Sequence, residues 1–310
     1  MAEDNTLVTQ RDRPYIMGLS IVAVILYHLA SFSNIYRHTS IDYLLNGYLG
    51  VDAFFLLSSF GLCFSFEKNS IGTFYLHRIK RLFPLYLVFL LIVYFVFNPP
   101  VQLWKMLIFQ SSGLSVIKAL HTDVEWYTPS IICVYLLFPI LYYCGYKLQH
   151  SSIWWHLLVV NVVAIAGHFV APYLSFGNNF VGRFPIIVSG VVIYFMYKNN
   201  RSRDVLLIIS LLLAETILLN DSHFLSMLVL LLVWLFKFID FRPLYRFFSY
   251  LGKYSFELYL AQTITTFYYM KVSPIENNIL MVLSAILLTI PVFFIFVAIY
   301  NSFKRLTTNS

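Results

Sequence analysis

The chain has 310 residues, 60% hydrophobic and only 11% charged, with a mean hydropathy of +0.76. A water-soluble globule carries about 25% charged residues, so this composition excludes one, and it leaves no polar stretch for a separate soluble domain. The formal charge of +7 comes from basic residues between apolar runs, where they set membrane topology and are no sign of nucleic-acid binding.

An apolar run of about 16–22 residues crosses a hydrocarbon core of about 30 Å. Ten such runs are expected, near residues 15–34, 46–66, 82–97, 128–147, 154–173, 184–198, 205–220, 223–239, 254–270 and 279–302. The predicted fold is an all-α, polytopic transmembrane bundle of about ten spans, one membrane-embedded domain over residues 1–310. The first run is too long for a signal-peptide core and lacks a small-residue cleavage site, which predicts an uncleaved span. Leu103–Ile117 is apolar but short and reads as a re-entrant or interfacial helix, with Trp104 and Lys105 suited to headgroups. Spans seven and eight are separated only by the polar turn Asn220–His223. Cys63, Cys133 and Cys144 all fall in apolar segments and read as small core residues.

With ten spans both termini share a side, and the 21 basic residues divide into 16 on that side and 5 on the other. The first set includes Arg13, Arg78, Lys80, Arg81, Lys253 and Lys304; the second is Arg37, Lys105, Lys118, Arg183 and Lys271. The positive-inside rule puts the larger set and both termini in the cytoplasm.

Ionisable groups within apolar spans are costly and usually face inward to function. His28 lies about 20 Å along span one, and Asp52 roughly 10 Å into span two from the opposite side, at a rise of 1.5 Å per residue. Consecutive antiparallel spans are neighbours, so a His28–Asp52 pair is feasible. An acid beside a histidine suits a general base; the same pair could equally serve to hold two helices together. Arg78 and Arg81, three apart on one helical face, present two guanidinium forks suited to phosphate. The competing reading is a topology anchor that meets anionic lipid headgroups. Arg183 opens span six as a substrate clamp or an end charge. Trp126-Tyr127 opens span four as aromatic-belt residues or a sugar platform. Glu215 in span seven should face protein rather than lipid, and Glu257 in span nine could pair with a cation. The sequence has no HExxH or Cys/His metal spacing, no GxSxG elbow and no phosphate-binding GxxxxGK[ST] loop; no metal is expected.

Taken in order, these segments resemble acyltransferase family 3, the membrane proteins that O-acylate bacterial surface glycans. Gly18–His28 is similar to the family's first helix, ending in its histidine; Gly50–Phe60 to its GVDxFFxxSGF stretch; and Phe74–Tyr86 to its FxxRRxxRxxPxY stretch. Trp126-Tyr127, Arg183-Phe184-Pro185 and Leu251–Leu260 follow in the family's order. The resemblance implies a bacterial cytoplasmic (inner) membrane protein with an acyl-CoA donor bound from the cytoplasm, His28 as the essential histidine, the family's RxxR at Arg78 and Arg81, and a glycan acceptor. The donor expected is acetyl-CoA, docked at Arg78 and Arg81, and the acceptor a glycan or lipid-linked glycan. On that reading Asp52 orients His28, Trp126, Tyr127 and Arg183 meet the acceptor, and membrane lipids are the surrounding partner. Three positions depart from the pattern. Met17 stands where many members carry a basic residue, for which Arg11 or Arg13 is the candidate substitute. Ser59 replaces a glycine, and Gln262 stands where many carry histidine. The alternative from another class is a transporter or lipid flippase using His28 and Glu215 as a proton or substrate path.

Overall fold

The computed structural model describes residues 12–33, 48–122, 124–174, 180–219, 242–271 and 278–308. Among them the chain is helical, with no strand and a single isolated bridge between Ile117 and Leu174. The helices are α1 (Asp12–Ser33), α2 (Tyr48–Lys68), α3 (Ile71–Phe97), α4 (Leu103–Ser112), α5 (Tyr127–Leu148), α6 (Ile153–Val170), α7 (Phe184–Lys198), α8 (Ser202–Leu219), α9 (Arg242–Lys253), α10 (Ser255–Lys271) and α11 (Asn278–Thr308).

The all-α, membrane-spanning fold expected from composition is present. By length and hydropathy six helical segments can cross a membrane: Leu49–Lys68, Ile71–Phe97, Tyr127–Leu148, Ile153–Tyr173, Val181–Lys198 and Leu280–Leu306. The expected spans one, seven and nine are helices (α1, α8 and α10) but are not among these six. Expected span eight and the Asn220–His223 turn lie outside the described residues, as do Arg11 and Arg37. The short apolar segment after α3 is the ten-residue α4 followed by two 3-10 turns, about 15 Å of helix and too short to cross. The segment before span nine holds a helix that the apolar runs do not reveal. In α9, Leu244, Phe247 and Tyr250 are exposed at a three-residue spacing and interleave with Arg246 and Lys253, the pattern of a helix lying along a membrane surface.

Two compact units share the chain. The first comprises Met1–Arg13, Asp52–Leu76 and Ile108–Arg242. Its centre is α7, where every residue from Pro185 to Met196 is buried. Around it Phe66, Phe74, Phe138, Tyr142 and Phe195 interlock through edge-on and stacked ring contacts, such as Phe74–Phe138 at 5.8 Å. Such contacts add to packing where lipid offers no hydrophobic drive between helices.

The second unit comprises Pro14–Val51, His77–Leu107 and Pro243–Ser310. Here α10 and α11 pack against each other, and Thr289 donates to Thr265 across them at 3.1 Å. The start of α1 crosses α9 backbone to backbone: a side chain on Gly252 would meet the carbonyl of Pro14, and one on Gly18 the carbonyl of Phe248. Close crossings of this kind admit only the smallest residue. Tyr15 stacks on Tyr245 at 5.1 Å beside them. Consecutive α1 and α2 are neighbours at Gly50, whose added Cβ would lie 2.5 Å from the Ser20 carbonyl oxygen.

Candidate active site

Within the second unit α1 carries His28 and α10 carries Gln262, whose Oε1 lies 3.0 Å from His28 Nδ1. The Gln262 amide nitrogen in turn donates to Thr266 Oγ1 at 2.7 Å, one helical turn further along α10. Gln262 is only 2% exposed. The residue that departs from the family pattern is therefore the one that meets the expected histidine.

The same unit holds Arg81. Its Nη1 and Nη2 donate to the two carboxylate oxygens of Glu257, at 2.7 and 3.0 Å. The guanidinium also lies over the Tyr300 ring, 4.2 Å from its centre. A bidentate fork and a ring face together set the plane and direction of the guanidinium. Glu257 is in the first turn of α10, where a helix end favours negative charge. Pro84, inside α3, supplies no N–H to the carbonyl of Lys80, which loosens the helix just past the basic cluster. Arg81 also forms one wall of a cleft of about 190 Å³ with His77, Lys80, Tyr300, Phe303 and Lys304. Arg78 is on the same helix but does not line it. The expected pair Arg78 and Arg81 does not line this cleft together: Arg81 is joined there by Lys80 from α3 and Lys304 from α11.

The first unit gathers the other expected residues. Asp52 Oδ1 lies 2.9 Å from Arg183 Nε, with side-chain exposures of 1% and 12%. Trp126 covers the guanidinium, its ring 5.2 Å from Arg183. Arg183 ends a 3-10 turn and directly precedes α7, whose start is set by Pro185. Tyr127 adjoins Trp126 and packs against Phe55 at 5.5 Å. Glu125, which spacing did not single out, is buried and takes the N–H of Thr128 on both oxygens, at 3.2 and 3.0 Å. It caps the start of α5 and so holds Trp126 and Tyr127 in place.

Arg183 is hence no snorkelling end charge: its side chain, 12% exposed, is held against an acid and an aromatic ring. Asp52 and His28 belong to different units; inside its own unit the Asp52 carboxylate is held by Arg183. Glu215 faces protein as expected, accepting from Asn161 at 3.3 Å. Among the described residues no group of three His, Cys, Asp or Glu side chains could hold a metal ion.

A family model, acyltransferase family 3, described as an acyltransferase domain, matches residues 15–298. The chain belongs to this family. It is a membrane acyltransferase, which sets aside a transporter without acyl-transfer chemistry. No curated protein and no solved structure matches it. The matched region takes in His28, Asp52, Arg81, Trp126, Arg183 and Gln262 but stops short of Tyr300 and Lys304.

Proposed function

We propose that this protein is an O-acetyltransferase of the bacterial cytoplasmic membrane. It would move an acetyl group from acetyl-CoA to a hydroxyl of a surface polysaccharide or its lipid-linked precursor, with both termini in the cytoplasm. The observation that carries the reading is the content of the second unit. One compact body holds a histidine within an apolar helix and a cationic, aromatic cleft at a basic helix end.

The cleft fits the charged end of such a donor. Lys80 and Lys304 offer ammonium groups to phosphates, Arg81 adds a fixed guanidinium edge, and Phe303 offers an apolar face to a base. At about 190 Å³ it takes part of the donor and not the whole. Arg78, one turn before Arg81, supplies further positive charge at the same helix end.

His28 takes the proton of the acceptor hydroxyl as its oxygen bonds to the acyl carbon. The thioester C–S bond then breaks, and the leaving sulfur recovers that proton. General-base help of this kind is worth about 10²–10⁴-fold, and holding both substrates in place supplies more. In the first unit the Asp52–Arg183–Trp126 group, with Tyr127 beside it, is suited to a sugar: a ring to stack on and a fixed charged pair to bond hydroxyls. Asp52 then acts on the acceptor side through Arg183.

The test is His28→Ala in cells and in membranes. Loss of glycan acetylation at normal protein level is expected; wild-type acetylation by a well-inserted His28→Ala protein would remove the assignment.

A further inference from the structure

We propose that Gln262 is a positioning residue, which holds His28 in the tautomer with its proton on Nδ1 and its lone pair on Nε2. The proposal rests on the reading of His28 as the general base.

The argument starts from what each atom can do. An amide oxygen only accepts hydrogen bonds, so the ring nitrogen 3.0 Å from Gln262 Oε1 must be the one that carries a proton. The amide meets a second partner at its other end. Its nitrogen only donates, and it lies 2.7 Å from Thr266 Oγ1. Reversing the amide would exchange these roles, with its nitrogen donating to Nδ1 and the Thr266 hydroxyl donating to its oxygen, and would leave the His28 proton on Nε2, the outcome that the experiment below would read against the proposal. Gln262 is 2% exposed, so no bulk water is at hand to take over its bond to His28, and an unmade bond in such a place is costly. Gln262 and Thr266 are four apart and share one face of α10. The chain Thr266–Gln262–His28 is therefore built from two helices of one compact unit.

The consequence is chemical. A histidine without a partner favours the proton on Nε2, and which nitrogen carries it is set by the bond the other makes. With Nδ1 protonated, Nε2 is the basic atom. A neutral amide does this without placing a second charge in the membrane, which a carboxylate at the same position would do. An acceptor hydroxyl would then meet a lone pair and not an N–H.

The experiment uses full-length protein in lipid nanodiscs, with ¹⁵N-labelled histidine and His28 assigned by difference against His28→Ala. The expected wild-type spectrum shows His28 protonated on Nδ1. Gln262→Leu is expected to move the proton to Nε2 or to a mixture, and to lower kcat by about tenfold or more. The loss is bounded by the whole general-base contribution of about 10²–10⁴-fold, and the donor KM should stay unchanged. Gln262→Glu keeps an acceptor at Nδ1 and should retain the wild-type tautomer and recover most of the lost turnover. A wild-type His28 protonated on Nε2, or a Gln262→Leu protein with wild-type spectrum and kcat, overturns the proposal. If His28→Ala is inactive while Gln262→Leu is wild-type-like, only the positioning role falls. If His28→Ala stays active, the base itself falls and takes this role with it.

Discussion

Arg81 and Glu257 are unequal partners: the arginine side chain is 33% exposed and the carboxylate 0%. Removing the arginine strands a buried charge, whereas removing the acid leaves a guanidinium that can turn toward water. Breaking a buried pair costs about 3–5 kcal/mol, and the partial exposure of Arg81 puts this one at the lower end, about 3 kcal/mol. Arg81→Ala should therefore lower the unfolding midpoint of purified protein more than Glu257→Gln, and the double variant should recover most of the loss. Equal losses from the two single variants would show that exposure does not govern this pair. The double variant also isolates donor binding from stability. If Arg81 touches a phosphate, the double variant stays folded yet binds the donor about one to two decades more weakly, the worth of a charge-assisted bond of about 1.5–3 kcal/mol. Arg81→Lys should rescue only part of this, since an ammonium keeps the charge but loses the fork. The sequence placed Glu257 near a cation but could not name it, because 176 residues separate the partners. It named His28 from its apolar surroundings and missed its partner for the opposite reason. Gln262 is uncharged and sits in a helix with three threonines nearby, so its chemistry gives no sign of a partner, and the sequence marked it only as a departure from the family pattern.

At the scale of the element, apolar runs located the long helices, six of which are long and apolar enough to be spans among the described residues. The 17-residue α10 falls short by its length, and it also carries Glu257, Gln262 and several threonines that the second unit uses internally. The amphipathic α9 was missed because its exposed apolar residues alternate with charges, and hydropathy averages these away. The topology itself is open to direct labelling through α3, whose 27 residues extend about 40 Å. In a background without cysteines, position 70 before α3 should react only from the cytoplasm and position 100 after it only from outside. An impermeant reagent that reaches position 70 from outside would invert the assignment made from basic residues. The α1–α9 crossing offers a second test. Gly252→Ala would press a methyl group on the Pro14 carbonyl, and overpacking of this kind costs about 1–3 kcal/mol. A marked fall in the unfolding midpoint is expected. Unchanged stability would mean that α1 moves off α9 without cost.

The whole molecule divides its candidate chemistry between two compact units, which composition and span counting do not reveal. Both run through the same helices, so no linker or change of composition marks the boundary. The second unit carries His28 and the basic cleft; the first carries Asp52, Trp126 and Arg183. If the first meets the acceptor and the second the donor, substitutions in each should affect different substrates. Arg183→Lys keeps a positive charge for Asp52 but gives up the planar group that stacks on Trp126. It should raise the apparent KM for the glycan acceptor and leave the donor's affinity unchanged. Lys304→Ala should do the reverse, since Lys304 lies on the cleft wall and beyond the segment matched to the family. Because the two act on separate substrates, their effects on kcat/KM should add in the double variant, as independent sites do within about 0.3–0.5 kcal/mol. The deciding measurement is steady-state transfer in membranes, with each substrate varied in turn for wild type, both single variants and the double. A rise in donor KM for Arg183→Lys, or strong non-additivity, would mean that the two groups serve one substrate together and that the division by unit does not describe the chemistry.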